Sequence, residues 1–353
     1  MKLLELVFMP VLLASCGTAN LDKSQMKVTN GRQVRENYQA SVVKINGCTA
    51  TFVKHNVLLT AAHCTWGKDY VDVMFSNKKI KSRRIIQNRA YNIRTSSGVY
   101  KKDLALIIVD DFSAPAISRI CYQAPTVGEP IALLGYGLNN LETRTGAGIK
   151  REGFNYLREI RDGLLLFEGQ HKPSDNSGNN AASGSGDSGG PLFSTAKNCL
   201  IGVTSGGYIN GSRKFSKYVD IKGSLLEKSF DWVHYVTSNE DLIRNIGADP
   251  EELYRHWERS GLMEGRSPNA AYYPRWYIDH NPDLPQEVKS SYRNLFMHWQ
   301  MQGKSECRDG SPYFNARAYM NLYPNISRET QGRCDKATGH WLYIGLSNML
   351  KGR

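Results

Sequence analysis

Gly186-Asp187-Ser188-Gly189-Gly190-Pro191 constrains this chain more than any other stretch, because such a serine loop needs partners that lie far away in sequence. A serine hydroxyl is a weak nucleophile at neutral pH and requires a base to take its proton. Thr60-Ala61-Ala62-His63-Cys64 offers an imidazole whose ordinary pKa lies near working pH. Asp103-Leu104-Ala105-Leu106-Ile107 sets an acid at the head of an apolar strand, and a carboxylate is what fixes a histidine's tautomer. The fold therefore has to bring His63, Asp103 and Ser188, in that chain order, to one place.

Together the three segments resemble the chymotrypsin/trypsin-like serine proteases, and the likeness runs from about Val28 to about Val236. The resemblance implies a mainly β fold of two antiparallel six-stranded β-barrels, with His63 and Asp103 from the first and Ser188 from the second. It implies Ser188 as nucleophile, His63 as general base and then acid, and Asp103 as the group that orients His63. The Gly186 and Ser188 amides would form the oxyanion hole, and the flanking glycines permit the tight turn that aims them. Ser205-Gly206-Gly207 matches the segment that takes substrate backbone as an added strand. Gly135-Tyr136-Gly137 is similar to the family's Gly-Trp-Gly turn, and no cofactor or metal is implied.

Lys27 followed by Val28-Thr29-Asn30-Gly31 resembles the family's activation site. Cleavage after Lys27 would free the Val28 amine to pair with Asp187 and order the oxyanion hole, which makes the chain a zymogen. The pocket-floor position is Ala182, so no counter-charge meets a Lys or Arg side chain. With Gly207 and Ser216 on the walls, a neutral preference for apolar or small residues is expected, and another protease would cut after Lys27. Gly184 replaces a half-cystine usual in the family, and Lys172 to Gly186 is rich in Ser, Gly and Asn, so a looser pocket rim is expected.

Met1-Lys2 and the apolar run to Leu13 have the form of an export signal and are too short to span a membrane as a helix. Leu13-Ala14-Ser15-Cys16 resembles a bacterial lipobox, implying a signal peptide over 1–15, lipid on Cys16 and a propeptide over 16–27. Location at the bacterial cell envelope, or secretion, follows. Seven cysteines are present, and lipidation of Cys16 leaves six for an oxidising compartment. The family implies Cys48–Cys64; Cys307–Cys334 is the natural pair in the tail, leaving Cys121–Cys199. In some zymogens of the family the cysteine matching Cys121 holds the propeptide, so an unlipidated Cys16 would bond Cys121 instead.

The formal charge of +12 suggests attraction to anionic surfaces, but no binding motif or basic-aromatic array accompanies it, so nucleic acid is not an expected partner. Lys78, Lys79, Lys81, Arg83 and Arg84 read as a solvated face and lack the paired acids of a calcium loop. Short apolar runs separated by Gly, Asn and Ser turns make residues 28–220 mostly β.

The tail changes character. His-Trp recurs at His256-Trp257, His298-Trp299 and His340-Trp341, at intervals of 42 residues, and in the same register lie Tyr235, Tyr277 and Tyr319 and Gly261, Gly303 and Gly345. Three tandem units of stacked helices are expected, starting near Ser229 inside what should be the protease's final helix. Asp249-Pro250-Glu251-Glu252 is a strong helix start. Asn281-Pro282-Asp283 and Gly261-Leu262-Met263-Glu264-Gly265-Arg266 resemble bacterial repeats found on exported proteins. The three histidines are set apart by the repeat and are expected to pack against tryptophan, with no metal bound.

A trypsin-like domain over 28–237 and a small α-helical repeat domain over 238–353 follow. The expected activity is that of a serine endopeptidase acting on protein or peptide substrates, membrane-tethered through Cys16 before activation. The tail would take a cell-envelope or protein ligand. The alternative is a catalytically silent surface-binding protein that works through the repeats.

Overall fold

Short runs of aliphatic and β-branched residues, broken by turn residues, become the strands of the first two-thirds of the chain. The computed structural model describes residues 28–342, apart from 76–77, 93–101, 111–113, 122, 139–144, 171–176, 211–212 and 222–228. The expected export signal, Cys16 and Lys27 lie outside the described residues. After the short β1 (Arg32–Gln33) come β2 (Val42–Ile45), β3 (Cys48–Lys54) and β4 (Val57–Thr60), the one-turn helix α1 (Ala62–Thr65), β5 (Asp72–Phe75), β6 (Lys78–Gln87) and β7 (Ala105–Val109). Strands β2 to β7 close a barrel in the order β2-β3-β4-β7-β6-β5. β7 lies between β4 and β6, and all five of its residues are buried. Lys78, Lys79, Lys81 and Arg83 of β6 are exposed, as a solvated face requires.

The second sheet departs from the expected six-stranded barrel. It holds β8 (Pro130–Gly135), β9 (Arg151–Tyr156), β10 (Glu159–Arg161), β11 (Leu164–Gln170), β12 (Pro191–Ser194), β13 (Cys199–Asn210) and β14 (Arg213–Asp220). With β1 it forms eight strands in the order β1-β9-β8-β12-β13-β14-β11-β10, which does not close by strand pairing. The reason is the segment 180–182, which lies in the gap between β9 and β11. Ala181 N donates to Phe154 O of β9 (3.2 Å), and Gln170 N of β11 donates to Asn180 O (2.8 Å). Asn155 Nδ2 spans the same gap, donating to Glu168 O (2.8 Å) and Ala181 O (2.9 Å).

Past residue 228 the described chain is helical: α2 (Trp232–Thr237), α3 (Glu240–Asn245), α4 (Pro250–His256), α5 (Pro274–Asp279), α6 (Gln286–Lys289), α7 (Tyr292–His298), α8 (Ala316–Leu322), α9 (Pro324–Glu329) and α10 (Cys334–His340). Tyr235, Tyr277 and Tyr319 each bring a hydroxyl to 2.9 Å from Nδ1 of His256, His298 and His340. These histidines thus spend a ring nitrogen on tyrosine. α4 and α7 each run into a wider π turn, Trp257–Gly261 and Trp299–Gly303. A Cβ on Gly261 or Gly303 would lie 2.0 Å or 2.2 Å from the paired tyrosine oxygen, so only glycine leaves room for that contact. Arg266 bridges to Asp241 (2.8 Å) and Arg308 to Asp283 (2.7 Å). Among the described residues, no helix is long and apolar enough to cross a membrane.

One apolar cluster is continuous from barrel residues Val43 and Leu106 through Trp232 and Leu253 to Trp299 and Trp341. Disulfides join Cys48 to Cys64, Cys121 to Cys199 and Cys307 to Cys334. Cys121 being taken by Cys199, the rival pairing with Cys16 is set aside. Trp299 is 2 % exposed and packs 4.7 Å from Tyr272, ring to ring. Trp299→Ala should cost about 3–5 kcal/mol of stability, as truncation of a buried aromatic does, read by urea denaturation followed by circular dichroism.

Candidate active site

Asp103 sits at the mouth of β7 with its side chain buried, and three donors meet it. His63 N donates to Oδ1 (2.9 Å), His63 Nδ1 lies 2.7 Å from Oδ2, and Ser205 Oγ donates to Oδ2 (2.7 Å). A carboxylate accepts only, so it selects the tautomer with the proton on Nδ1 and leaves the Nε2 lone pair as a base. His63 is half-buried on α1, its ring still open to solvent on one side. The Cys48–Cys64 disulfide fixes α1 to the start of β3.

The serine loop is pinned to the same corner of the barrel. Ser188 O accepts from Thr49 N (2.8 Å), and Gly189 N donates to Thr204 O (2.8 Å). Thr49 Oγ1 donates to Gly186 O (3.0 Å). Gly189 adopts φ 78°, and a Cβ there would lie 2.0 Å from Thr60 Oγ1, so the loop rests directly on the strand end that leads to His63. Gly186 also has positive φ, at 93°. The Gly186 and Ser188 amides donate to no protein acceptor among the described residues, which leaves them available to an oxyanion. His63 and Asp103 are hydrogen-bonded to one another; Ser188 Oγ has no hydrogen bond to His63 among the described residues.

The candidate pocket residues lie near one another. Ala182 is buried and pairs with Thr29, whose amide donates to Ala182 O (2.8 Å). Ser183 N donates to Ser216 Oγ (2.9 Å), and Gly207 faces Ser216 across β13 and β14. Gly206 and Gly207 are half-buried, next to a register shift between Thr204 and Gly206.

Asp187 is fully buried. Oδ1 accepts from Gly137 N (2.9 Å) and Oδ2 from Gly184 N (2.7 Å). A Cβ on Gly135 would lie 2.0 Å from Asp187 Oδ1, which is why the Gly135-Tyr136-Gly137 turn carries glycine there. Burial pushes the Asp187 carboxyl up to about 7, against the pull of those two amides and the nearby charges of Lys214 and Arg151. Val28 is buried in the core of the second sheet beside Leu133 and Ala181.

Two contributors were not anticipated. Ser205 was expected only beside substrate, yet its hydroxyl holds Asp103. Lys214 is fully buried on the inward face of β14 with Ser216 and Tyr218. The alternation Lys214, Ser216, Tyr218 was the available signal for that inward lysine.

The family model described as Trypsin matches residues 26–225, ending before the helical region. Trypsin epsilon of Drosophila erecta is 25% identical over 214 residues, covering 52% of this chain and 78% of that protein. A solved structure of neuropsin, a serine protease expressed in the limbic system of mouse brain, is 20% identical with a TM-score of 0.46. It covers 60% of this chain and 98% of its own.

A carboxyl whose folded pKa lies above its unfolded value holds its proton more tightly when folded. Its contribution is therefore full below about 4 and lost as pH rises toward about 7. The wild type should lose stability relative to Asp187→Asn across that window, measured by urea midpoints at a series of pH values.

Proposed function

Because the chain belongs to the trypsin family of chymotrypsin-like serine proteases, we propose that it is a serine endopeptidase, made as a zymogen, that hydrolyses peptide bonds through an acyl-enzyme on Ser188. The observation that carries this reading is the buried Asp103 with His63 Nδ1 at 2.7 Å, an arrangement that leaves Nε2 basic. Nε2 takes the Ser188 proton as Oγ attacks the substrate carbonyl, and the Gly186 and Ser188 amides receive the oxyanion. The same proton passes to the leaving amine as the peptide bond breaks. Water then repeats the sequence on the acyl ester, and no cofactor is needed.

Activation is cleavage after Lys27 by another protease. The new Val28 amine then supplies Asp187 with a cation, replacing an unfavourable buried charge by a pair. Support comes from Val28 lying in the second-sheet core and Thr29 pairing with Ala182. Residue preference is neutral: Ala182 and Ser216 offer no carboxylate. The chain is secreted or held at a bacterial envelope through lipid on Cys16, from which activation releases it.

The catalytic domain spans 28–237 and a helical repeat domain 238–353, with the first of three 42-residue units starting near Ser229 and so overlapping the last protease helix. The recurring tyrosine–histidine and arginine–aspartate pairs support the repeat. These units bind a cell-envelope or protein ligand.

The missing hydrogen bond between Ser188 Oγ and His63 favours a second reading, a catalytically silent protein that acts through the helical units. A fluorophosphonate decides between the two. The Val28-terminated protein should be labelled and Ser188→Ala should not; a folded protein with a free Val28 amine that stays unlabelled is the silent one.

A further inference from the structure

Asp249 is an aspartate of the helical region that reaches the active-site barrel. It caps α4, accepting from Glu252 N (3.3 Å), and its buried carboxylate also takes Lys102 Nζ at 2.6 Å. Lys102 immediately precedes Asp103 and holds φ at 62°, a left-handed conformation that costs a side-chain-bearing residue energy. Lys102 O accepts from Leu104 N (2.8 Å), so the backbone on both sides of Asp103 is set by this turn.

The connector between α3 and α4 grips a second strand as well. Ala248 N donates to Gln87 O (3.3 Å), and Arg89 N donates to Ile246 O (3.3 Å). Gly247, at φ 71°, approaches so closely that a Cβ would lie 2.0 Å from Gln87 O. Gln87 pairs with Ala105 of β7, and its side chain donates to Thr65 Oγ1 (2.8 Å) of α1, the helix that carries His63. One four-residue segment thus bears on both elements that supply the histidine and the aspartate.

We infer that Asp249 is a positioning residue for the His63–Asp103 pair, acting through Lys102, and that the first helical unit is therefore part of the catalytic apparatus. The consequence for rate rests on the protease reading; the consequence for geometry does not. A buried carboxylate that meets an ammonium makes a charge-assisted bond stronger than a neutral one. Releasing Lys102 frees its strained turn, and Asp103 moves with it.

Asn caps a helix about as well as Asp, so Asp249→Asn in the full chain removes the ion pair while leaving α4 capped. Hydrogen exchange reads the geometry directly, because the His63 amide is protected only while Asp103 Oδ1 accepts from it. In Asp249→Asn the His63 and Leu104 amides should exchange about tenfold faster, with Ile107 and Glu252 unchanged. Lys102→Gln should do the same, and the double variant should be no worse than either single one. After cleavage at Lys27, fluorophosphonate labelling of Asp249→Asn should slow by about tenfold and recover in part in Asp249→Glu. His63 exchange within about twofold of the wild type in both folded single variants overturns the inference. A wild type that is not labelled overturns the protease reading instead, and the exchange result still decides the positioning.

Discussion

Asp103 carries a carboxylate into the interior between the two sheets, and a buried charge is tolerated only where donors meet it. Its three donors come from two places: the backbone and ring of His63 on α1, and the hydroxyl of Ser205 on β13. The first two are parts of the barrel and the third belongs to the second sheet. Satisfying this one acid therefore fixes how the sheets face each other, which ring nitrogen of His63 carries the proton, and where the cleft opens. Asp187 poses the same problem and solves it less fully. Two backbone amides bond its oxygens, yet burial still raises its pKa, so a further cation would be accommodated at a gain. The contrast between a satisfied and an under-satisfied buried acid is the physical basis for reading Val28 as an activation terminus.

The chemical residues were legible because their local contexts are distinctive. A glycine-flanked serine, an Ala-Ala-His-Cys helix start and an acid before Leu-Ala-Leu-Ile each announce a backbone geometry. The disulfide partners followed from the same likeness and from counting. What could not be read was the closure of the second sheet. Nothing in Asn180-Ala181-Ala182 marks it as a segment that lies between β9 and β11, because its pairing is with strands far off in sequence. Ser205 was legible as a cleft residue and not as a partner of Asp103, since its side-chain direction depends on the register shift beside it. Lys214 was hidden by charge: a lysine in a run of Arg, Lys and Ser looks solvated until the period of two along β14 is followed.

In the tail, residues that recur at intervals of 42 make matching local contacts. Helix starts at Asp249 and Ser291 are capped by their own side chains. The His-Trp pairs divide their roles, histidine bonding a tyrosine 21 residues earlier and tryptophan packing into the core. The π turns that begin at Trp257 and Trp299 explain Gly261 and Gly303, because the widened turn carries the backbone toward the tyrosine oxygen. The contacts of the helical region with the barrel were not visible in this period. Lys102–Asp249 and Lys54–Asp231 join residues far apart in sequence, and neither lysine lies in a motif.

Those contacts bear on how stability and activity are connected. The apolar cluster does not stop at the end of β14; Trp232, Tyr235 and Leu253 join it to barrel residues such as Leu106, the β7 residue three places after Asp103. A freely hinged appendage would have a core of its own and a polar seam at the junction. Here the junction is apolar inside and ion-paired at its edge, where Arg84 meets Glu240 and Lys102 meets Asp249. Local opening of α3 and α4 would thus expose barrel core and withdraw the cation beside Asp103 in the same event. Helices α3 and α4 are thus coupled to the strand that presents the acid, and a ligand that steadied them would steady the acid with them.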